Sequence, residues 1–282
     1  MANPEILEFE CNPSLEGMAR LVPDVVYSTA GGQELKMTLM VPWNQKISRP
    51  LVVFVQGSAW TRPDVNFEIP QLSQLARMGY VVATIDHRSA AEGHPFPAYL
   101  QDTKTAIRFL RAHAAEYGID PSRVCIYGTS SGGNTALLVG LTGDDPQFKT
   151  GEYAQQSDSV QLVVECFGPA NLKHMIDLNS DMDSESRQLM LGLAGGKDPH
   201  AIMEAMSPVN YVLPGKTYPP FFLLHGDADK LVPYEQSLEM LQTLQAAGID
   251  ARMARVHGAP HEGSFWSEAL VAEVFRYIRE KL

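Results

Sequence analysis

Ser130 stands at the centre of Gly128-Thr129-Ser130-Ser131-Gly132, a Gly-x-Ser-x-Gly pattern. Before it runs Arg123-Val124-Cys125-Ile126-Tyr127, short and rich in β-formers; after it, residues 133–141 are almost wholly apolar. The first stretch reads as a buried strand and the second as the start of a helix. Between a strand and a helix this pattern is a nucleophile elbow. Its glycines permit a sharp turn, and the central serine presents its hydroxyl from a strained backbone. Any Gly-Ser loop can match the bare pattern, so the flanking elements give it force. The chemistry indicated is attack on an acyl carbon by the Ser130 hydroxyl.

A serine hydroxyl is a weak nucleophile at neutral pH and needs a base, itself oriented by a third group. Elbow enzymes supply these in the chain order serine, acid, histidine. Of eight histidines, His174, His200, His225, His257 and His261 follow Ser130. His225 closes the apolar run Pro220-Phe221-Phe222-Leu223-Leu224 and reads as bonded to backbone at the end of a core strand. His174 and His200 fall in a polar, Met-containing insertion with no strand before them. His257 is tied to the strand-like run 251–256, whereas His261 sits in Gly258-Ala259-Pro260-His261-Glu262-Gly263, before an amphipathic C-terminal helix. A loop at a strand's C-terminal edge lets an imidazole reach a neighbouring loop, so His261 is read as the base. The acid comes from His225-Gly226-Asp227-Ala228-Asp229-Lys230. Asp227 follows the turn glycine and is expected to bond the loop's own amides. Asp229, farther along, is expected to accept the His261 N–H and remain ionised.

An oxyanion needs backbone donors. The apolar strand 50–55 runs into Gln56-Gly57-Ser58-Ala59-Trp60, whose small side chains leave amides unobstructed. The partner donor is the amide of the residue after the nucleophile, Ser131.

Together these segments, spanning residues 51–263, resemble α/β-hydrolase carboxylesterases of the hormone-sensitive-lipase-like and feruloyl-esterase-like (BD-FAE-like) group. That group usually shows His-Gly-Gly-x-Trp or His-Gly-Gly-Gly where this chain has Gln56-Gly57-Ser58-Ala59-Trp60. By position the resemblance gives the oxyanion amides to Ser58 and Ala59, with Trp60 a lesser candidate for substrate contact. His225-Gly226-x-x-Asp229-x-x-Val232-Pro233 resembles the group's acid loop and supports Asp229. The resemblance implies a serine ester hydrolase working through an acyl-enzyme, on hydroxycinnamate (feruloyl or chlorogenate-type) or acetylated carbohydrate esters. Aryl-formamidase and prolyl-oligopeptidase-like peptidase activity are the alternatives within the fold. A binding protein on a hydrolase scaffold is the alternative outside enzymology, disfavoured because Ser130, Asp229 and His261 are all present.

The elements that must position these residues alternate between strand and helix, the pattern of a mostly parallel sheet with helices on both faces. Runs 25–29 and 34–41 read as a hairpin around Ala30-Gly31-Gly32-Gln33. Strands follow at 51–55, 80–86 and 160–166, with helices near 69–78 and 97–117. In the second helix Ile107, Leu110 and Ala114 mark a core face, and Arg108 and Arg111 read as salt-bridged or solvated. Residues 167–215 break the alternation with His174, Met175, Met182, Met190 and Met203, and read as a cap insertion whose methionines pack ordinarily or line an adaptable pocket. Residues 1–20 form no clear core element and read as an arm over the site or a dimer contact, which leaves a homo-oligomer open. The whole, residues 1–282, reads as a single α/β-hydrolase domain.

Composition agrees. The chain of 282 residues is 45% hydrophobic and 20% charged, enough for one sizeable core. Its formal net charge of −11 argues against nucleic acid or anionic membrane as partners, both being polyanions; it does not itself identify a substrate, and the small-molecule ester is what the resemblance implies. Cys11, Cys125 and Cys166 make an odd count with no disulfide framework and no metal spacing. Neither a metal nor a cofactor is expected. The first residues show no basic and then apolar leader pattern, and the chain reads as cytoplasmic.

Overall fold

The computed structural model describes residues 6–44, 46–178, 192, 193, 195, 196 and 198–282. Eight strands form one sheet: β1 (Ala19–Ser28), β2 (Leu35–Pro42), β3 (Arg49–Val55), β4 (Val81–Ile85), β5 (Ile119–Thr129), β6 (Leu162–Cys166), β7 (Phe221–Gly226) and β8 (Ala251–Val256). Their order is β1-β2-β4-β3-β5-β6-β7-β8. β1 and β2 pair antiparallel, as do β2 and β4, and every later pairing is parallel. The alternation predicts this mostly parallel sheet, and the arrangement is the α/β-hydrolase architecture that the resemblance implies. The direction of winding reverses between β3 and β5. A crevice opens there beyond the strands' carboxyl ends, where open α/β sheets bind ligands.

Successive side chains of a strand point to opposite faces, so buried strands feed two cores. Leu51, Val53 and Val55 of β3 join Ile107, Leu110 and Leu137 on one face. Val52 and Phe54 join Leu72, Leu75, Tyr127 and Phe275 on the other. The first face is covered by α2 (Ala98–Ala112), α4 (Ser131–Leu141) and α7 (Glu235–Ala246), the second by α1 (Ile69–Arg77) and α8 (Glu268–Lys281). α4 is buried along its whole length, which explains its apolar sequence. The predicted helix over 97–117 is split: α2 ends at His113, and the short α3 (Ala114–Tyr117) closes on Gly118, left-handed at φ 67°. Arg108 is fully buried and bridges to Asp158 at 2.8 Å, beside Lys104 at 2.7 Å. Arg111 takes neither expected form; it donates to the carbonyls of Pro121, Ser157 and Ser159.

Two readings left open by the sequence are narrowed. Residues 14–18 do not lie over the nucleophile. The Met18 carbonyl accepts from Trp43 N at 2.9 Å, and the Gly17 carbonyl from Arg77 Nε at 3.2 Å. Both partners stand at the sheet end opposite the strands' carboxyl edge, because β2 runs antiparallel to β4 and α1 antiparallel to its neighbouring strands. Of the two readings of the insertion's methionines, the described ones take ordinary packing. Met175 of α5 (Leu172–Leu178) and Met203 of α6 (Pro199–Ala205) are buried in the first core. Met182 and Met190 lie outside the described residues. Cys125 and Cys166 are buried and Cys11 is exposed, all as thiols. Among the described residues no helix is long and apolar enough to cross a membrane, and no cluster of metal-ligating side chains occurs.

Candidate active site

Ser130 occupies the turn between β5 and α4 at φ 51°, ψ −122°, a left-handed conformation that strains a non-glycine residue. The turn is possible because its neighbours lack side chains. A Cβ on Gly128 would come within 2.1 Å of the Gly132 carbonyl oxygen, and one on Gly132 within 2.0 Å of that of Val55. Ser130 N–H donates to the Cys166 carbonyl at 2.8 Å, pinning the elbow to the end of β6.

Loops from β5, β7 and β8 converge here. His261 Nε2 lies 2.9 Å from Ser130 Oγ, and His261 Nδ1 lies 2.6 Å from Asp229 Oδ2. The Ser130 hydroxyl and the carboxylate thus contact opposite edges of one imidazole. The Phe167 ring meets that imidazole edge-on at 4.7 Å between centroids and limits its rotation. Asp229 Oδ1 accepts the amides of Leu231 and Val232, each at 2.9 Å. Burial works against charge on Asp229. Hydrogen bonds from His225 and His261 outweigh it and hold the carboxyl well below the usual carboxylate range.

Asp227 does not bond its own loop's amides as expected; Asp229 does that. Asp227 instead accepts from Gly258 N at 2.6 Å and Arg255 Nε at 2.7 Å, with His257 Nδ1 at 3.1 Å. Those contacts, the Gly258 amide foremost, hold its carboxyl below the ordinary value and fasten the His261 loop to the Asp229 loop. His257 is accordingly an exposed neighbour of Asp227. His174, on α5, pairs with Glu239 at 2.6 Å, and the backbone of His200 is capped by Asp198 at the start of α6.

The loop after β3 departs from expectation in two respects. Ser58 N–H donates to Ser131 Oγ at 2.9 Å and is therefore engaged rather than free. The amides of Ala59, at φ 51°, and of Ser131, the first residue of α4, have no hydrogen-bond partner among the described residues. The Trp60 ring is only 4% exposed and packs 6.2 Å from the Tyr99 ring within the first core, so it supports the loop from beneath. Sequence reasoning also missed the loop's anchors. Gly57 N–H donates to Thr129 Oγ1 at 2.9 Å, and Asp64 N–H to Gln56 Oε1 at 2.6 Å. Thr129 and Ser131 flank the nucleophile directly, and hydroxyls on both sides of an elbow serine were the available signal.

Below the elbow, between α1 and α8, lies a cavity of about 260 Å³. Phe54, Phe67, Tyr127, Trp266, Glu68 and Glu262 contribute to its wall, and no Lys or Arg does. Trp266 Nε1 donates to Glu262 Oε1 at 2.5 Å. Burial, then the charge of Glu262, raises the Glu68 carboxyl to about 7.

Known proteins agree with this architecture. The BD-FAE family profile matches residues 37–244. Esterase LipQ of Mycobacterium tuberculosis is 30% identical over 203 residues, covering 71% of this chain and 46% of its own length. The chain spans about half the length of the curated relatives it matches. Among solved structures, a truncated carbohydrate esterase from gut microbiota superimposes with TM-score 0.80 at 29% identity, covering 95% of this chain and 98% of its own. An esterase from the planctomycete Thermogutta terrifontis, bound to propionate, gives TM-score 0.75 at 25% identity, with 95% and 96% covered. The chain belongs to the BD-FAE family, within the α/β-hydrolase carboxylesterases.

Proposed function

We propose that this chain is a serine carboxylic-ester hydrolase that works through an acyl-enzyme. The observation that carries the reading is the imidazole of His261, bonded on one side to Ser130 Oγ and on the other to Asp229. In that reading His261 Nε2 takes the hydroxyl proton as Ser130 Oγ attacks the ester carbonyl. Asp229 fixes the Nδ1–H tautomer and stabilises the imidazolium. The oxyanion is met by the amides of Ala59 and Ser131, each worth ~2.7–4 kcal/mol by analogy with single-donor deletions elsewhere. His261 then gives its proton to the leaving alkoxide, and water repeats the cycle on the acyl-serine.

For the substrate we propose a hydroxycinnamate ester or an acetylated carbohydrate. Aromatic walls and two glutamates in the cavity beside Thr129 and Glu262 suit a ring that carries hydroxyl groups, and the missing cations disfavour an anionic one. The carbohydrate esterase among the structural neighbours supports the sugar ester. The test is a set of initial rates with Ser130→Ala as the blank, on p-nitrophenyl acetate, butyrate and octanoate, methyl ferulate, chlorogenate, an acetylated xylo-oligosaccharide and N-formylkynurenine. The reading expects turnover that depends on Ser130 and is fastest on the ferulate, chlorogenate or acetyl-xylan substrates. Preference for N-formylkynurenine moves the assignment to an aryl-formamidase. No turnover dependent on Ser130 contradicts it altogether.

A further inference from the structure

Behind Asp229 runs a buried polar chain for which the acylation steps have no use. Glu165 on β6, His225 on β7 and Ser237 on α7 are all fully buried. His225 Nε2 lies 2.9 Å from the Val232 carbonyl oxygen and 3.3 Å from Asp229 Oδ2. Both partners only accept, so Nε2 carries a hydrogen, and in a ring with a single N–H Nδ1 must accept. Nδ1 is 2.7 Å from Ser237 Oγ, which therefore spends its single hydrogen there. Ser237 Oγ is left with lone pairs facing Glu165 Oε2 at 3.4 Å, the loosest link of the chain. Glu165 Oε1 is already taken by the amide of Gly168. A carboxylate at this place would set one lone pair against another in an apolar interior.

We infer that Glu165 is a positioning residue, held protonated on Oε2, whose hydrogen orients Ser237, fixes His225 in the Nε2–H tautomer and so gives Asp229 a second N–H donor beside that of His261. The inference rests on the roles proposed above for Ser130, Asp229 and His261. The surroundings favour it. β6 presents Cys166, whose thiol burial keeps protonated; β7 presents His225; α7 presents Ser237; and α4 approaches with Gly133, which has no side chain. No cation is among the groups acting on Glu165, and burial lifts its carboxyl to about 8 against the lowering by the Gly168 amide and the Ser237 contact. When the proton leaves to solvent, the Ser237 hydrogen turns towards the new carboxylate. His225 Nδ1 then loses its donor. The ring must either change tautomer, setting the Nε2 lone pair against Val232 O and Asp229, or take up a second proton.

Glu165→Gln keeps an acceptor for Gly168 and a donor for Ser237 but cannot ionise; Glu165→Ala keeps neither. Two readouts are needed: kcat and KM on p-nitrophenyl acetate from about pH 7 to about pH 10, and the imidazole nitrogen shifts of His225 in ¹⁵N NMR. At about pH 7 we expect Glu165→Gln within about twofold of the parent and Glu165→Ala lower by about tenfold or more in kcat, both with KM unchanged. We expect the parent to show an alkaline fall near pH 8 that Glu165→Gln lacks. NMR should show the Nε2–H tautomer at about pH 7 in both, and a change across pH 8 in the parent only. The same alkaline fall in both proteins, Glu165→Gln as impaired as Glu165→Ala, or an Nδ1–H tautomer at neutral pH overturns the inference. The NMR result stands without turnover, so failure of the hydrolase reading is distinguishable from failure of this one.

Discussion

Ser131→Ala tests whether the side chain after the nucleophile holds the oxyanion loop in place. The substitution leaves the Ser131 amide intact and removes the acceptor of the Ser58 N–H, a 2.9 Å bond. Losing that bond costs ~0.5–1.5 kcal/mol, and an orphaned donor ~1–3 kcal/mol when fully buried. Ser58 is half-buried and water can reach it, so the lower figure applies: ~1 kcal/mol of stability, or ~2 °C in Tm for a chain this long. The catalytic cost is larger. Ala59 directly follows Ser58 and holds a strained left-handed backbone, which a freed loop relaxes. An oxyanion donor is worth ~2.7–4 kcal/mol, and displacing rather than deleting it forfeits about half. At ~1.4 kcal/mol per factor of ten, kcat should fall ~10–30-fold. Steady-state rates on p-nitrophenyl acetate, with a thermal melt on the same sample, measure both terms. KM should barely move, because the oxyanion forms only in the transition state. A kcat within about twofold of the parent would falsify the anchoring argument. Thr129→Val removes the neighbouring anchor at Gly57 and should act in the same direction, more than additively with Ser131→Ala, since both hold one loop.

Asp229→Asn should lower kcat by about 10⁴-fold, through loss of the acceptor that fixes the His261 tautomer, while Asp227→Asn should cost less than about fivefold; parallel rates on one ester decide which aspartate orients the base. Glu68 gives a signed pH effect. Its carboxyl is raised from 4.5 to about 7, so the folded protein holds a proton the unfolded chain has released; that contribution is complete below 4.5 and lost as pH rises through 7. Glu68→Gln should therefore raise Tm at about pH 8 and leave it unchanged at about pH 4, and equal Tm differences at both pH values would contradict the assignment. Of the three thiols, only Cys11 is exposed, so a disulfide reagent should label one thiol in the native protein and three in denaturant.

Much of the fold is legible in the sequence because it is written locally. Buried parallel strands tend to be apolar without a break, as residues 51–55, 162–164 and 221–224 are, and glycine and proline mark their ends. The elbow is legible for the same reason: Gly128 and Gly132 are required by close backbone approach, and the strand and helix on either side show their own periods. Meetings across many residues are another matter. That three loops should bring Ser130, Asp229 and His261 within hydrogen-bond reach is an expectation of motif order; the 2.6 and 2.9 Å distances belong to the tertiary structure. The direction of a hydrogen bond is less legible still. Nothing in Gln56-Gly57-Ser58-Ala59 reveals that the Ser58 amide turns down to Ser131 Oγ while that of Ala59 finds no partner among the described residues. Trp60 looked like a substrate contact because an aromatic ending a loop of small residues invites that reading, but its ring is spent on Tyr99. The amino-terminal segment carries no period, and it is the bonds of residues 14–18 to Trp43, Asn44 and Arg77 that place them at the far end of the sheet.

The central claim is that Ser130, activated by His261, forms the acyl-enzyme. The most direct measurement is intact-protein and peptide mass spectrometry after brief exposure to a p-nitrophenyl organophosphate, on the parent, Ser130→Ala and His261→Ala. The account predicts one equivalent of label on the parent, located on the peptide that contains Ser130. It predicts no label on Ser130→Ala and a much slower reaction of His261→Ala. Label on another residue, or equal labelling rates in the parent and His261→Ala, would contradict it.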